Sequence, residues 1–137
     1  MSEESNLQVI QQHITAFGCG DVEGSLAFVA EQVDWQSPAT DHPPVEMPWS
    51  TPRHNRSGVR RFFQEMPAVL EMEAFDIRTM LASGDTVVVE GGNRGRVRST
   101  GTSYEHDWVM VFTLEEGKIV RYRHYYDPED VLVAFRS

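Results

Sequence analysis

Apolar positions recur with two different periods along this chain, and the change of period divides it. Leu7, Ile10, Ile14 and Phe17 repeat at helical spacing and predict a helix from about Glu3 to Phe17. Gly18 and Gly20 then end it. Asp21 is the candidate N-cap of a short second helix with Leu26, Val29 and Ala30 on its buried side, and a short strand follows from Val33 to Gln36. In residues 37–56, Pro38, Pro43, Pro44, Pro48 and Pro52 leave no room for a regular element, so the segment is expected to be a long loop acting as a lid or binding segment, with Met47 and Trp49 as its apolar side. Ser57 then caps a third helix that turns Val59, Phe62, Phe63 and Met66 inward, with Pro67 near its end.

After Glu71 the period falls to two. Phe75, Ile77, Thr79 and Leu81 alternate with polar residues, and further strands are expected at Thr86–Arg98, Ser103–Thr113 and Lys118–Tyr126. Ser83-Gly84-Asp85, Ser99-Thr100-Gly101 and Glu115-Glu116-Gly117 supply the turns, so these strands pair antiparallel. Gly91-Gly92 inside the second of them suggests a bulge or bend. Asp127-Pro128 opens a last helical turn, with Asp as cap and Pro at the first helical position. Helices first and strands later make the class α+β. The expected architecture is a cone-shaped barrel: a strongly bent, mainly antiparallel sheet wrapped around the N-terminal helices, enclosing an internal pocket, as one domain over residues 1–137.

Composition narrows the chemistry. A chain of 137 residues can bury a core without staples. Its 21 acidic against 12 basic residues give a net charge of -9, which disfavours nucleic-acid backbone as a partner. The single cysteine, Cys19, excludes an internal disulfide framework. The first residues lack the basic patch and apolar core of a signal peptide, and no apolar run could cross a bilayer, so a cytoplasmic protein with no membrane partner is expected. Asp41, His42, Glu46 and His54 match no metal-ligand spacing, and no Gly-rich loop stands where it could cradle phosphates. No metal and no cofactor are expected.

Three stretches carry a resemblance: Phe17-Gly18-Cys19-Gly20-Asp21, Val33-Asp34-Trp35-Gln36-Ser37-Pro38, and Gly117-Lys118-Ile119-Val120 leading to Arg123-His124-Tyr125-Tyr126-Asp127-Pro128. With the element order, they make the chain similar to the nuclear transport factor 2-like superfamily, in its polyketide-cyclase-like (SnoaL-like) and ketosteroid-isomerase-like branch. The resemblance implies a cone fold with a small-molecule pocket. Ketosteroid isomerases place a base before the Pro that follows the first strand, an oxyanion-binding group on the first helix and an acid on a late strand. Here those positions hold Ser37, His13 and Val109, with Asp107 one step away. Limonene-type epoxide hydrolases use an Asp-Arg-Asp set, which Arg96 and Asp127 match and Arg98 breaks. Polyketide cyclases of this fold need an Asp acid/base assisted by His, compatible with Asp127 and either His13 or His124.

The expected function is therefore cofactor-free acid/base chemistry (isomerisation, aldol-type cyclisation or hydration) on a small, largely apolar carbonyl or hydroxyl compound. Asp127 is the candidate acid/base, although an N-cap reading stands beside it. His13 is the partner donating to oxygen, and Arg96 stabilises the anion. Trp35, Asp107 and Tyr125 shape the pocket. Asp107 shares a strand face with Val109 and Val111, here assigned to the interior. Tyr104, His106, Trp108, Met110 and Phe112 are assigned to the outer face, as a homodimer interface. A ligand-binding module without turnover and a protein-interaction domain using the outer face are the alternatives.

Overall fold

The computed structural model describes residues 2–136. Helix α1 (Glu3–Gly18) starts where the Ser2 hydroxyl accepts from the Ser5 amide at 3.0 Å, and it buries Asn6, Ile10, His13 and Ile14 along one stripe. The chain reverses through Gly20, at φ 77°, into the short α2 (Val22–Leu26) capped by Asp21. Strand β1 (Val29–Gln36) begins earlier than its sequence pattern suggests. Val29 and Ala30, expected on the second helix, are its first residues.

The proline-rich segment is more ordered than expected. Pro48–Ser50 forms a 3-10 turn and Arg53–Asn55 a short strand, β2, paired with β1. Met47 and Trp49 are buried against Leu70, Val97, Val131 and Leu132, so this segment is a wall of the core. Helix α3 (Arg56–Val69) is capped by Asn55, whose Oδ1 accepts from the Gly58 amide at 2.7 Å, and it contains Pro67 near its end. The long strands β3 (Leu70–Ser83), β4 (Thr86–Val97), β5 (Ser103–Glu115) and β6 (Lys118–Tyr125) follow, then α4 (Pro128–Phe135). The sheet runs in the order β2-β1-β6-β5-β4-β3. Only β1 and β6 pair parallel, and the sheet stays open rather than closing into a barrel.

The glycine pair acts differently from the expectation. β4 stays in register with β5 through Gly91 and Gly92, and the irregularities fall where β3 pairs with β4, between Met72 and Ala74 and, opposite the glycines, between Ile77 and Thr79. The extra residue, Arg78, reverses the alternation, so Phe75 packs inward before it, and Met80 and Ala82 do so after it, while Leu81 turns to solvent. A Cβ on Gly91 would collide with the Asp76 carbonyl and stand 3.0 Å from the Trp108 ring, so the bulge closes only over glycine.

The two faces of β5 are the reverse of the sequence assignment. Trp108, Met110 and Phe112 are buried on the concave side, whereas Asp107, Val109 and Val111 lie on the outer face with Tyr125 and Arg123 of β6. Both rows alternate equally well. What decides between them is bulk: the concave face needs the volume of rings to fill it, and the Val row cannot supply that. Tyr104 to Phe112 therefore do not form the expected outer interface, and that basis for a homodimer disappears.

Candidate functional site

The concave sheet face, α1, α3 and the 48–50 turn enclose a cavity of about 290 Å³. Its body is aromatic: all three tryptophans, Trp35, Trp49 and Trp108, line it. Trp35 stacks on Tyr122 at 3.9 Å between ring centres, and Phe75 lies 5.0 Å from Trp108. Such a lining favours a flat apolar guest.

Of the six residues expected as catalytic or substrate-binding, the structure brings His13 and Trp35 into this wall, together with His124, the alternative partner, and with Met47 and Trp49 of the proline-rich segment. Asp127 is exposed, and its Oδ1 accepts from the Glu129 amide at 3.0 Å, so it serves as the cap of α4. Arg96 projects from the outer side of β4 onto Glu71, with Nε 3.1 Å from Oε2. Asp107 is held on the outside by Arg78 at 2.8 Å. Tyr125 is 50% exposed on the same face. These four were placed by alignment to relatives or by the inverted parity; strand alternation carries Arg96, Asp107 and Tyr125 away from the cavity, and the cap of α4 holds Asp127 outside it. Asp127→Asn is accordingly expected to leave stability within ~1 kcal/mol of wild type, since Asn caps as well as Asp, and to leave any turnover unchanged. A thermal melt and an activity assay on the variant check both.

The chemistry of the cavity resides in Tyr104, His106 and Trp108, which the sequence reading assigned to the outer face, in His124, its alternative partner, and in Asn93 and Tyr126, to which it gave no catalytic role. Tyr104, His106 and Trp108 of β5, His124 of β6, Tyr126 just beyond β6 and Asn93 of β4 converge on one region of the wall. The His124 and Tyr126 rings are 4.8 Å apart, His106 and Tyr126 5.5 Å, and Tyr104 and His106 5.5 Å. Hydrogen bonds fix the proton positions. Trp108 Nε1 can only donate, and it meets Asn93 Oδ1 at 3.1 Å. The same oxygen lies 2.9 Å from His106 Nε2, which must therefore carry the proton and donate. That leaves Nδ1 of His106 as the basic nitrogen, and it is buried with no partner. His124 Nε2 is a second buried nitrogen without a partner.

His13 is arranged similarly. Its Nδ1 lies 2.9 Å from the Ser25 carbonyl, an obligate acceptor, so Nδ1 carries the proton and Nε2 is an acceptor. This reverses the donor role expected for it. Burial pushes His13 down to about 4, against some support from the Ser25 carbonyl, and pushes His124 down to about 3, helped by neighbouring His106. His106 is also held below the ordinary value by burial, but Asp130 and Asp107 pull it back up. All three rings are neutral at pH 7. The phenols stay protonated: burial pushes Tyr104 up to about 12 and raises Tyr126, on which Ser37 and Ser50 pull in the opposite direction.

Neutral buried histidines make stability pH-dependent. The unfolded chain takes up protons near pH 6.5, whereas folded His13 and His124 do not until about 4 and about 3. Between those limits the unfolded state binds more protons, so stability is fully present above pH 6.5 and falls as pH falls, by up to ~1.4 kcal/mol per pH unit for each ring. Urea unfolding is expected to show a loss of roughly 2 kcal/mol or more between pH 6.5 and pH 5, where paired carboxylates still keep their charge. A flat profile would mean the rings titrate normally and are not sealed in.

Comparison with known proteins bears on what this cavity is. The SnoaL-like domain family matches residues 10–122 of this chain. The uncharacterized protein YesE of Bacillus subtilis strain 168 is 25% identical over 126 residues, which is 85% of this chain and 86% of YesE. An NTF2-like protein of Burkholderia xenovorans LB400, solved by crystallography, is 29% identical with a TM-score of 0.83 over 98% of both chains. TerC, co-crystallised with polyporic acid, shares the fold with a TM-score of 0.83 at 24% identity, over 97% of this chain and 99% of its own.

Proposed function

This chain belongs to the SnoaL-like domain family, and from that premise we propose that its cavity is the active site of a cofactor-free acid/base enzyme acting on a small, flat carbonyl or hydroxyl compound. The observation that carries the reading is the unpartnered Nδ1 of His106, a ring of the cavity wall held by the chain Trp108–Asn93–His106. A buried acceptor without a donor is costly unless a ligand supplies one. Base, orienting group and apolar surroundings are the components an acid/base site requires.

In the step proposed, His106 Nδ1 removes a proton from a carbon beside a carbonyl. The C–H electron pair becomes the enolate, and the Tyr104 and Tyr126 phenols donate to the oxygen on which charge develops. The imidazolium then returns the proton to the same or another carbon. Asp130 and Asp107 support the charged ring while it carries that proton. His13 and His124, lowered further, remain neutral throughout and act as fixed acceptors for ligand hydroxyls. TerC, a protein of the same fold, was co-crystallised with polyporic acid, which supports a ligand of this general kind.

The test uses 2-tetralone, a flat bicyclic ketone with an acidic C–H. In deuterated buffer, the protein is expected to accelerate exchange at the carbon between ring and carbonyl above the buffer rate. Binding of 2-tetralone, seen as quenching of the three cavity tryptophans, with no acceleration of exchange would favour the ligand-binding module without turnover.

A further inference from the structure

The mouth of the cavity carries one charged feature that the proposed chemistry does not use. Arg98 follows directly after β4, and Arg98, Glu71, Met72 and Pro67 form part of the lining on that side. Glu71 faces two guanidinium groups. Arg96 holds it closely, with Nη2 at 2.5 Å and Nε at 3.1 Å from Oε2, while Arg98 Nη1 stands off at 3.9 Å. The Arg96 guanidinium keeps the Glu71 carboxyl below its ordinary range, so it is charged. Glu71 is thus engaged by Arg96 from the outer side, with Glu73 also near Arg96, and Arg98 is the cation left on the cavity side without a close carboxylate partner, in a chain of net charge -9.

Arg98 is also fixed in place. Its Nε donates to the Pro67 carbonyl at 2.9 Å, near the end of α3, which orders the guanidinium plane. The Nη edge is left without a close partner, and the side chain is half exposed at 49%. A planar guanidinium presenting two parallel N–H donors fits a carboxylate better than it fits a point charge or a neutral group.

We infer that Arg98 is a specificity residue for an amphipathic acid: the apolar body of the substrate fills the aromatic cavity, and its carboxylate rests on Arg98 at the mouth. This rests on the proposed function for the cavity and adds the substrate class. Because the chain as a whole repels anions, a carboxylate would weaken binding anywhere else on the wall. The inference therefore makes opposite demands on acid and neutral ligands of the same shape.

The experiment measures tryptophan quenching by 2-naphthol and by 6-hydroxy-2-naphthoate on wild type, Arg98→Gln and Arg121→Gln. Arg121 lies on the outer face of β6 and removes the same unit of charge away from the mouth. Arg98→Gln is expected to weaken the naphthoate ~tenfold, as befits a partly exposed charge-assisted contact, and to leave naphthol within about twofold. Arg121→Gln is expected to leave both ligands unchanged, and high salt to shrink the Arg98 effect. Equal naphthoate affinity in the two variants, or no binding of naphthoate where naphthol binds, overturns the role of Arg98 and leaves the cavity assignment intact. Failure of both probes to bind wild type overturns the two together. An Arg98-dependent preference for the acid with no exchange of 2-tetralone keeps the substrate class and removes the catalytic reading.

Discussion

Trp108→Glu is expected to abolish the folded state at room temperature or to lower the melting temperature by roughly 15 °C or more. The ring is 2% exposed, lies 5.0 Å from Phe75 and 5.9 Å from His124, and closes over Gly91. Truncating a buried Trp alone costs ~3–5 kcal/mol. Glutamate adds a carboxylate to a site with no cation, so it must either ionise unpaired or stay protonated at further cost. Against a total stability of ~5–15 kcal/mol, that is most of what holds the domain together. Trp108→Phe is the milder control: it keeps an aromatic ring and removes the N–H that fixes Asn93 together with part of the ring volume. Thermal melts followed by circular dichroism distinguish the cases. A Trp108→Glu protein that melts like wild type would mean the ring lies on the outer face after all.

His106→Gln is the second large effect, and it falls on chemistry rather than stability. Glutamine is close to imidazole in reach and can still donate to Asn93 Oδ1, so the hydrogen bond at 2.9 Å has a replacement. It has no basic nitrogen. Exchange of 2-tetralone is expected to fall by ~100-fold or more, the usual loss when a positioned base is removed, while the melting temperature moves little. His13→Gln, with the other ring left in place, is expected to cost far less, because a group that protonates only near pH 4 is a poor base at neutral pH. Equal losses in the two variants would mean that His106 acts no differently from a distant acceptor.

The fold was largely legible in the chain, and the site was not. The stripe Ile10–Ile14, the caps at Asp21 and Asp127 and the turns at Gly84, Gly101 and Gly117 each act through local backbone geometry, which one sequence carries in full. Strand alternation was equally visible in β5, but alternation does not say which row faces in. The acidic Asp107 attracted the pocket assignment because relatives place an acid nearby, and that moved Tyr104, His106 and Trp108 to the wrong side. Ring volume was the signal available: an aromatic row opposite an apolar helix stripe belongs in the concave face. Arg78 illustrates a different limit. One extra residue, Arg78, reverses the facing of Leu81, and the space that the Asp76 carbonyl needs there is left by Gly91 on another strand.

Asn93 could not have been found from its neighbours in sequence. It matters because two donors from β5, at positions 106 and 108, meet its Oδ1 across the β4–β5 ladder. Once Asn93 and His106 are seen to pair directly, the tautomer of His106 follows, and with it the free nitrogen. The site is thus a property of register, and register is settled only when the sheet is assembled.

The central claim is that the unpartnered nitrogens of His106 and His124 face the ligand. Long-range 1H–15N correlation of the histidine rings, recorded on the wild-type protein during titration with 2-naphthol, tests it most directly. His106 Nδ1 is expected to begin as an unprotonated nitrogen and to shift together with His124 Nε2 as the cavity tryptophans quench, with His13 Nδ1, engaged by Ser25, unchanged. Quenching that saturates while the His106 and His124 nitrogens stay where they began would contradict the account.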